Sequence, residues 1–365
     1  MYNDKNYDGC IDQLLQMRQL DPTAADREDA HYYLAMSTLY CGDDEALDML
    51  NAFLSRYPES PRYQDALSSV GDYYFTRGSY GDALLTYKQV EPEALTADRL
   101  DDLRYRMAYS YMMLGEYDNA LPLFDALMQS RQYSNAARFY KAYIAYSRRD
   151  YAEARRLFAD VDQSREPGNA ARYYLCQLDF LDGHYEQAYN EASALLRANA
   201  VKEFDPELRR IAGESLYNLG RTEQAIPYLR QYIATGTDIR PSAYYMLGVS
   251  EYEGGNYADA INMLQMATGD EDITGQSAYL YLGQSYLRTG DTNAAILAFD
   301  KASRMNYDQR ITEAASYNYI ASRMAGGRVP FANSVTLLED FLKKYPQSAY
   351  APAVSESLVT GYMTD

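Results

Sequence analysis

Five residues near the start of the chain, Asp4, Asn6, Asp8, Gly9 and Asp12, fall on the liganding frame of a calcium-binding EF-hand loop. That frame closes on a bidentate carboxylate three residues after Asp12, where this chain has Leu15. Without it a calcium ion lacks the oxygens that complete its shell. The same residues read as a turn leading into an amphipathic helix, so no metal is expected there. Nucleophilic chemistry has as little to build on. His31 falls in a helical stretch and His184 in a turn, and neither stands in a Ser-His or Cys-His signature. The sequence has no Walker loop, dinucleotide glycine fingerprint or HExxH pair. The three cysteines, Cys10, Cys41 and Cys176, are too few and scattered for a zinc site or a disulfide framework. Cys10 and Cys176 take places where small residues recur, which predicts buried packing roles. Cys41 is expected in a turn, with no neighbour to activate its thiol. The expectation is a protein that is not an enzyme and carries no cofactor and no metal.

Charge and composition narrow the class further. The chain has 365 residues, with 34 Lys and Arg against 52 Asp and Glu, a net charge of −18. No cationic excess exists to displace counterions from phosphates, so a nucleic-acid partner is not expected. No run of about 18 apolar residues occurs, so no helical membrane span is expected. The opening MYNDKNYDGC lacks the basic and apolar regions of a secretory leader. Hydrophobic residues make up 47% and charged residues 24%, which is globular composition. The acidic clusters Asp98, Asp101, Asp102 and Asp270, Glu271, Asp272 read as a helix N-terminus and a loop, both solvated edges. Tyrosine is the outlier, at 40 residues with no tryptophan.

The elements follow from an internal repeat. Gly71, Ala108, Ala142, Cys176, Gly213, Gly248 and Gly283 are each followed twelve residues later by an alanine: Ala83, Ala120, Ala154, Ala188, Ala225, Ala260 and Ala295. Those alanines are spaced by 37, 34, 34, 37, 35 and 35 residues. Within a unit the period is helical, as at Tyr279, Leu282, Gly283 and Tyr286, and a turn follows. The turns carry glycine and then an aromatic, as in Leu114-Gly115-Glu116-Tyr117, Asp182-Gly183-His184-Tyr185 and Gly254-Gly255-Asn256-Tyr257. Glycine suits the left-handed cap that closes a first helix, and the aromatic can pack back over the hairpin. Paired small residues let the two helices of a unit approach closely. Tyr87, Phe124, Phe158, Leu264 and Phe299, each four after its alanine, are expected to fill the gap to the next unit.

Leu282, Gly283 and Tyr286, with Tyr279 in place of tryptophan, then Ala295 and Phe299, resemble the tetratricopeptide repeat; Ala83 with Tyr87 and Ala120 with Phe124 are close variants. Pro22, Pro58 and Pro346 fit the family's unit-ending proline, which most middle units lack. The resemblance covers essentially the whole chain. It implies an all-α fold, a right-handed superhelical solenoid of helix-turn-helix repeats over residues 1–365 as a single domain. Residues 1–24 then read as the second helix of a partial repeat, on Tyr7, Cys10, Leu14, Met17 and Pro22. Residues 25–347 hold eight to nine repeats, and 348–365 a first helix without a partner. Such ends suggest a piece of a longer protein, because a solenoid normally shields its ends with capping helices.

One residue on from each small position, a helix rotates by 100° onto an adjacent stripe. That stripe reads Tyr105, Tyr109, Met112; Phe139, Tyr143, Tyr146; Tyr173, Gln177, Phe180; Arg210, Glu214, Tyr217; and Tyr245, Val249, Tyr252. In the family resembled, this stripe lines a concave surface that holds peptides. The candidate partner-binding residues are therefore Tyr105, Tyr109, Phe139, Tyr143, Tyr146, Tyr173, Phe180, Tyr217, Tyr245 and Tyr252. The Lys and Asn pair with which some members clamp acidic tails is missing: Ser68 and Asp72, Tyr105 and Tyr109, Phe139 and Tyr143, and Tyr173 and Gln177 stand at those places. With a charge of −18, a neutral or basic protein or peptide is the expected partner. A self-associating structural spacer, with a homo-oligomer covering the stripe, and a glycan-binding module are the alternatives. FLSRYPES (53–60) and FLKKYPQS (341–348) resemble unit ends of tetratricopeptide proteins of the bacterial envelope, which implies the periplasm, with the cytoplasm as the alternative.

Overall fold

The computed structural model describes residues 2, 4–17, 23–325 and 331–363; among these the regular structure is helical, without a strand. The chain divides into two compact units, Met1–Ala171 and Arg172–Asp365. In the first, α1 (Tyr7–Met17) precedes four hairpins. These are α2 (Ala24–Cys41) with α3 (Ala46–Arg56), α4 (Tyr63–Thr76) with α5 (Tyr80–Tyr87), α6 (Ala97–Met113) with α7 (Tyr117–Ala126), and α8 (Ser134–Ser147) with α9 (Tyr151–Ala159). Helix α10 (Gly168–Leu181) begins at the boundary and is followed by α11 (Tyr185–Ala198). The second unit continues with α12 (Asp205–Asn218) and α13 (Thr222–Thr235), α14 (Pro241–Glu253) and α15 (Tyr257–Met266), and α16 (Ile273–Thr289) and α17 (Thr292–Arg304). It closes with α18 (Gln309–Ala325), α19 (Phe331–Lys344) and α20 (Ala351–Met363). The fold is an all-α solenoid of helical hairpins.

The repeat alanines explain the hairpins. Ala83, Ala120, Ala154, Ala188, Ala225, Ala260 and Ala295 are all at 0% exposure, as are Ala108, Ala142 and Cys176 opposite them. Where glycine stands opposite, the approach is closer than a methyl allows. A Cβ built on Gly283 would lie 2.5 Å from the Phe299 ring, and one on Gly248 2.6 Å from Leu264. The large residue four after the alanine thus covers the small residue of its own first helix, a role beyond the gap-filling expected of it. It also reaches the next unit, where Phe124 stacks on Tyr140 of α8 at 5.5 Å and 21°.

The turns close as the glycines require: Gly115, Gly183 and Gly255 take φ of 77°, 78° and 80°. In the α8–α9 turn Arg149 adopts φ 62° in glycine's place. The aromatic after the turn does pack back, at 5.7 Å for Phe180–Tyr185 and 5.5 Å for Tyr252–Tyr257. Phe75–Tyr80 and Tyr146–Tyr151 repeat the arrangement. Several second and first helices start on a side-chain cap. Asp150 accepts from Glu153 N, and Asp272, from the second acidic cluster, accepts from Gly275 N at 2.8 Å.

Two buried amides tie down the loops that follow their hairpins. The Asn135 side chain donates to the carbonyls of Asp162 (3.1 Å) and Glu166 (3.0 Å) and accepts from Asp162 N (2.8 Å). Seven residues before its own small position, as Asn135 is, Gln276 donates to Met305 O (2.5 Å) and Thr312 Oγ1 (2.9 Å) and accepts from Asp308 N (2.8 Å). Gln276→Leu strands these partners where water does not reach, at about 1–3 kcal/mol for each group left unpaired. Urea unfolding should show a midpoint loss of that order; a loss within about 0.5 kcal/mol, the range of ordinary surface changes, would remove the amide from the fold's supports.

The remaining sequence expectations meet the structure as follows. Asp8, Gly9 and Asp12 lie within α1, a helix and not a liganding loop. Cys10 is buried, as its expected packing role requires. Pro58 and Pro346 follow α3 and α19 closely, whereas Pro22 lies outside the described residues, as does the Met17 side chain. Cys41 is the last residue of α2 and not part of the turn. No described helix is long and apolar enough to cross a membrane.

Candidate functional site

In the first unit the stripe is a mixed surface of charge and rings. Its charged part is centred on Arg99 of α6. The Nε donates to Asp65 of α4 at 2.6 Å, Nη1 reaches Asp72 at 3.4 Å, and Nη2 donates to Ser68 at 3.2 Å. Arg106 pairs with Asp72 at 2.5 Å, and the Tyr87 hydroxyl donates to the same carboxylate at 2.8 Å. Tyr32 of α2 donates to Asp65, and Tyr133 donates to Asp102 at 2.6 Å. Asp102 is therefore part of this network and not a solvated edge. Burial works against both guanidinium charges, yet Asp72 beside them holds Arg99 and Arg106 above the ordinary arginine pKa. Burial, then Asp65, raises the Tyr32 hydroxyl, so it remains a donor.

Beside this network lie the rings. Tyr105 stacks on Tyr133 at 4.5 Å and 16°. Tyr109 meets Tyr140, Phe75 and Tyr80 edge-on at 5.4, 5.6 and 5.9 Å. Its hydroxyl pKa is raised, first by burial and then by the neighbouring Tyr80; Tyr143 is close enough to add to the shift. Tyr105, Tyr109, Tyr143 and Tyr146 are half-buried and present part of their rings. Phe139 is different. It is 8% exposed and packs on Phe158 of its own hairpin at 5.7 Å, so it supports the surface from below.

In the second unit Tyr173 is likewise buried, stacked on Phe204 at 3.9 Å and 4°. Phe180 is half-buried beneath the Arg210 guanidinium, 5.3 Å from its ring. Arg210 pairs with Glu207 (2.8 Å) and Glu214 (3.0 Å), so these stripe positions hold a buried ionic cluster. Burial raises the Glu214 pKa although Arg210 opposes it. Beyond it the rings join up. Tyr217 of α12 lies beside Tyr245 on α14, which after burial raises its hydroxyl pKa, and Tyr245 meets Tyr281 of α16 at 6.3 Å. Tyr281 meets Tyr252 at 5.5 Å, edge to face.

Sequence reasoning missed Tyr281, Phe75, Tyr80, Tyr133 and Tyr140, and with them Arg99 and Arg106. Phe75 falls on the stripe's spacing, four residues after Gly71, but beside Ser68 and Asp72 in a unit not read as aromatic; the others stand off the stripe by a residue or more, so its spacing excluded them. The clue was the turn aromatic, whose packing back over the hairpin places Tyr80 beside Phe75. For catalysis the geometry supplies little. His31 Nδ1 is 3.0 Å from the Tyr57 hydroxyl, and no group of three His, Cys, Asp or Glu able to hold a metal occurs among the described residues. Burial, then Glu191 and Asp179, pushes the Cys176 thiol up to about 12. Burial and a hydrogen bond to Asp8 also raise Cys41, the opposite of an activated thiolate.

No curated protein matches the sequence significantly. Among solved structures, the chain is similar to a tetratricopeptide repeat protein from Parabacteroides merdae, at 17% identity over 80% of this chain and 98% of that one, with a TM-score of 0.45. It is similar to the C-terminal part of a tetratricopeptide-repeat protein from Cytophaga hutchinsonii, at 17% identity over 79% and 98%, with a TM-score of 0.41. It is also similar to the APC/C hetero-tetramer Cut9–Hcn1, at 19% identity over 92% and 63%, with a TM-score of 0.40. The tetratricopeptide repeat family model matches residues 44–97, 105–170, 182–244, 212–275 and 245–308, well over half of the sequence. With that match spanning most of the hairpins that these alanines and glycines close, the chain belongs to the tetratricopeptide repeat family.

Proposed function

We propose that this chain is a non-catalytic scaffold that holds a protein or peptide segment along the aromatic face of its first helices. Family membership supports a protein-interaction scaffold in general terms. The observation that carries the finer reading is the group Tyr245, Tyr281 and Tyr252, in ring contact over α14 and α16, with Tyr217 of α12 beside it, all half-buried. Such rings have area left to bury, few torsions to freeze, and hydroxyls for the backbone groups of an extended segment. The charge of −18 steers a neutral or basic partner toward them and repels an acidic one.

The test uses a displayed library of extended peptides selected on the full chain. Tyr109→Ala with Tyr143→Ala, and separately Tyr245→Ala with Tyr252→Ala, should each weaken the selected peptides about tenfold, the scale of losing aromatic anchors. Far-ultraviolet circular dichroism should be unchanged, because these rings are half-exposed. Affinity unaltered in both variants would place the binding surface elsewhere.

A further inference from the structure

A second kind of surface lies on the other side of the first helices, with a pocket in each unit. On α8, Lys141 and Arg148 stand about 200° and 180° around the helix from Phe139, opposite Tyr143 and Tyr146. They edge a pocket of about 320 Å³ whose floor is Leu121, Ile144 and Leu157, from α7, α8 and α9. In the second unit, Leu247 lies opposite Tyr245 and Tyr252 on α14, with Glu251 on the flank between. They line a pocket of about 270 Å³ with Ile233 and Met263, from α13 and α15. The two share one place in the repeat. Lys141, Ala145, Glu153 and Leu157 correspond to Leu247, Glu251, Asp259 and Met263, each 106 residues further on.

The side chains differ at these positions, but the chemistry is the same. In both pockets carboxylates outnumber cations: Asp125, Asp150 and Glu153 against Lys141 and Arg148, then Glu251 and Asp259 against Arg230. Each unit bridges part of this charge itself, Lys141 to Asp125 and Arg230 to Glu251 (2.7 Å) and Asp259 (2.6 Å). Asp125 and Asp259 nevertheless keep 58% and 54% of their side chains exposed, at the rim of an apolar floor. The volumes suit one or two side chains and lie at the small end of ligand pockets.

We infer that each of these pockets docks an apolar side chain flanked by lysine or arginine on a partner polypeptide. This surface is separate from the tyrosine face and does not rest on it. The apolar group fills the floor, and the cation joins the exposed oxygens of Asp125 or Asp259. A cationic partner is the one the local carboxylate surplus and the −18 charge both favour.

The test measures fluorescence anisotropy of a labelled, acetylated and amidated peptide with a Lys-Leu-Lys core against the full chain, beside a counterpart with a Glu-Leu-Glu core. The lysine peptide should bind at least tenfold more tightly. Asp125→Lys with Asp259→Lys should remove at least fivefold of that affinity. Asp44→Lys with Glu186→Lys makes the same change of charge at exposed places away from both pockets and should stay within twofold of the parent. Equal binding of the two peptides, or equal loss in the control charge reversals, overturns the assignment. So does concentration-dependent sedimentation of the chain that Asp125→Lys with Asp259→Lys abolishes, since the grooves would then belong to a second copy.

Discussion

Phe299→Ala is expected to lower stability by about 3–5 kcal/mol, the range for truncating a fully buried phenylalanine. The ring is at 0% exposure and lies over Gly283, so alanine leaves a cavity between α16 and α17 that neither helix can close without losing its other contacts. The cavity has a natural filler. Gly283→Ala in the parent chain pushes a Cβ to 2.5 Å from the ring and should itself destabilise by about 1–3 kcal/mol through overpacking. Combined with Phe299→Ala, the same methyl enters empty space, so the pair should be more stable than the sum of the singles by at least about 1 kcal/mol. Urea unfolding of the four proteins measures this coupling, and additive losses would show that Gly283 and Phe299 do not share a contact. Because repeats contact chiefly their neighbours, amide exchange should rise in α16, α17 and α18 and stay as it was in α2 and α3.

Arg99→Met should cost about 3 kcal/mol, the lower end for breaking a buried ionic network, since Arg99 keeps 21% of its side chain exposed. Among the described residues, the variant leaves Asp72, 9% exposed, with Arg106 and Tyr87, and leaves Asp65 with the Tyr32 hydroxyl as its side-chain donor. Adding Asp65→Asn removes one uncompensated charge but keeps an acceptor for Tyr32, and should restore at least about 1 kcal/mol. No recovery would mean that Arg99 acts by packing and not by charge. The same substitution loosens α4 from α6, and with it the register that sets Phe75 against Tyr109. Peptides selected on the tyrosine face should then bind the first unit less tightly while circular dichroism at moderate temperature holds.

The two perturbations act on different layers of information. Gly283, Phe299 and the repeat alanines were legible because their cause is local and repeated: a hairpin needs a small residue on each helix, and seven copies make that need visible. The turn glycines were legible for the same reason, with Arg149 as the departure. Asp102 was not legible. On its own helix it is one of three aspartates near an N-terminus, and its acceptance from Tyr133 depends on a residue brought back 31 positions later. Asn135 and Gln276 were missed because a single amide among polar residues carries no period, although each holds a loop together.

By itself, then, the sequence determined the class of elements, their order, their pairing into hairpins, and the family, since spacing and side-chain volume decide all of these along one or two helices. Only the tertiary structure decided which aromatic rings stay half-open and which are consumed in packing. Phe139 and Tyr143 share a stripe, yet one is buried on Phe158 and the other is half-exposed. The difference lies in what a neighbouring helix places against each ring. It also decided that Arg99 would meet Asp65 and Asp72, which α4 brings to it, and that Arg210 and Glu214, already paired at i,i+4 along α12, would be buried, because burial depends on what neighbouring helices lay over a charge.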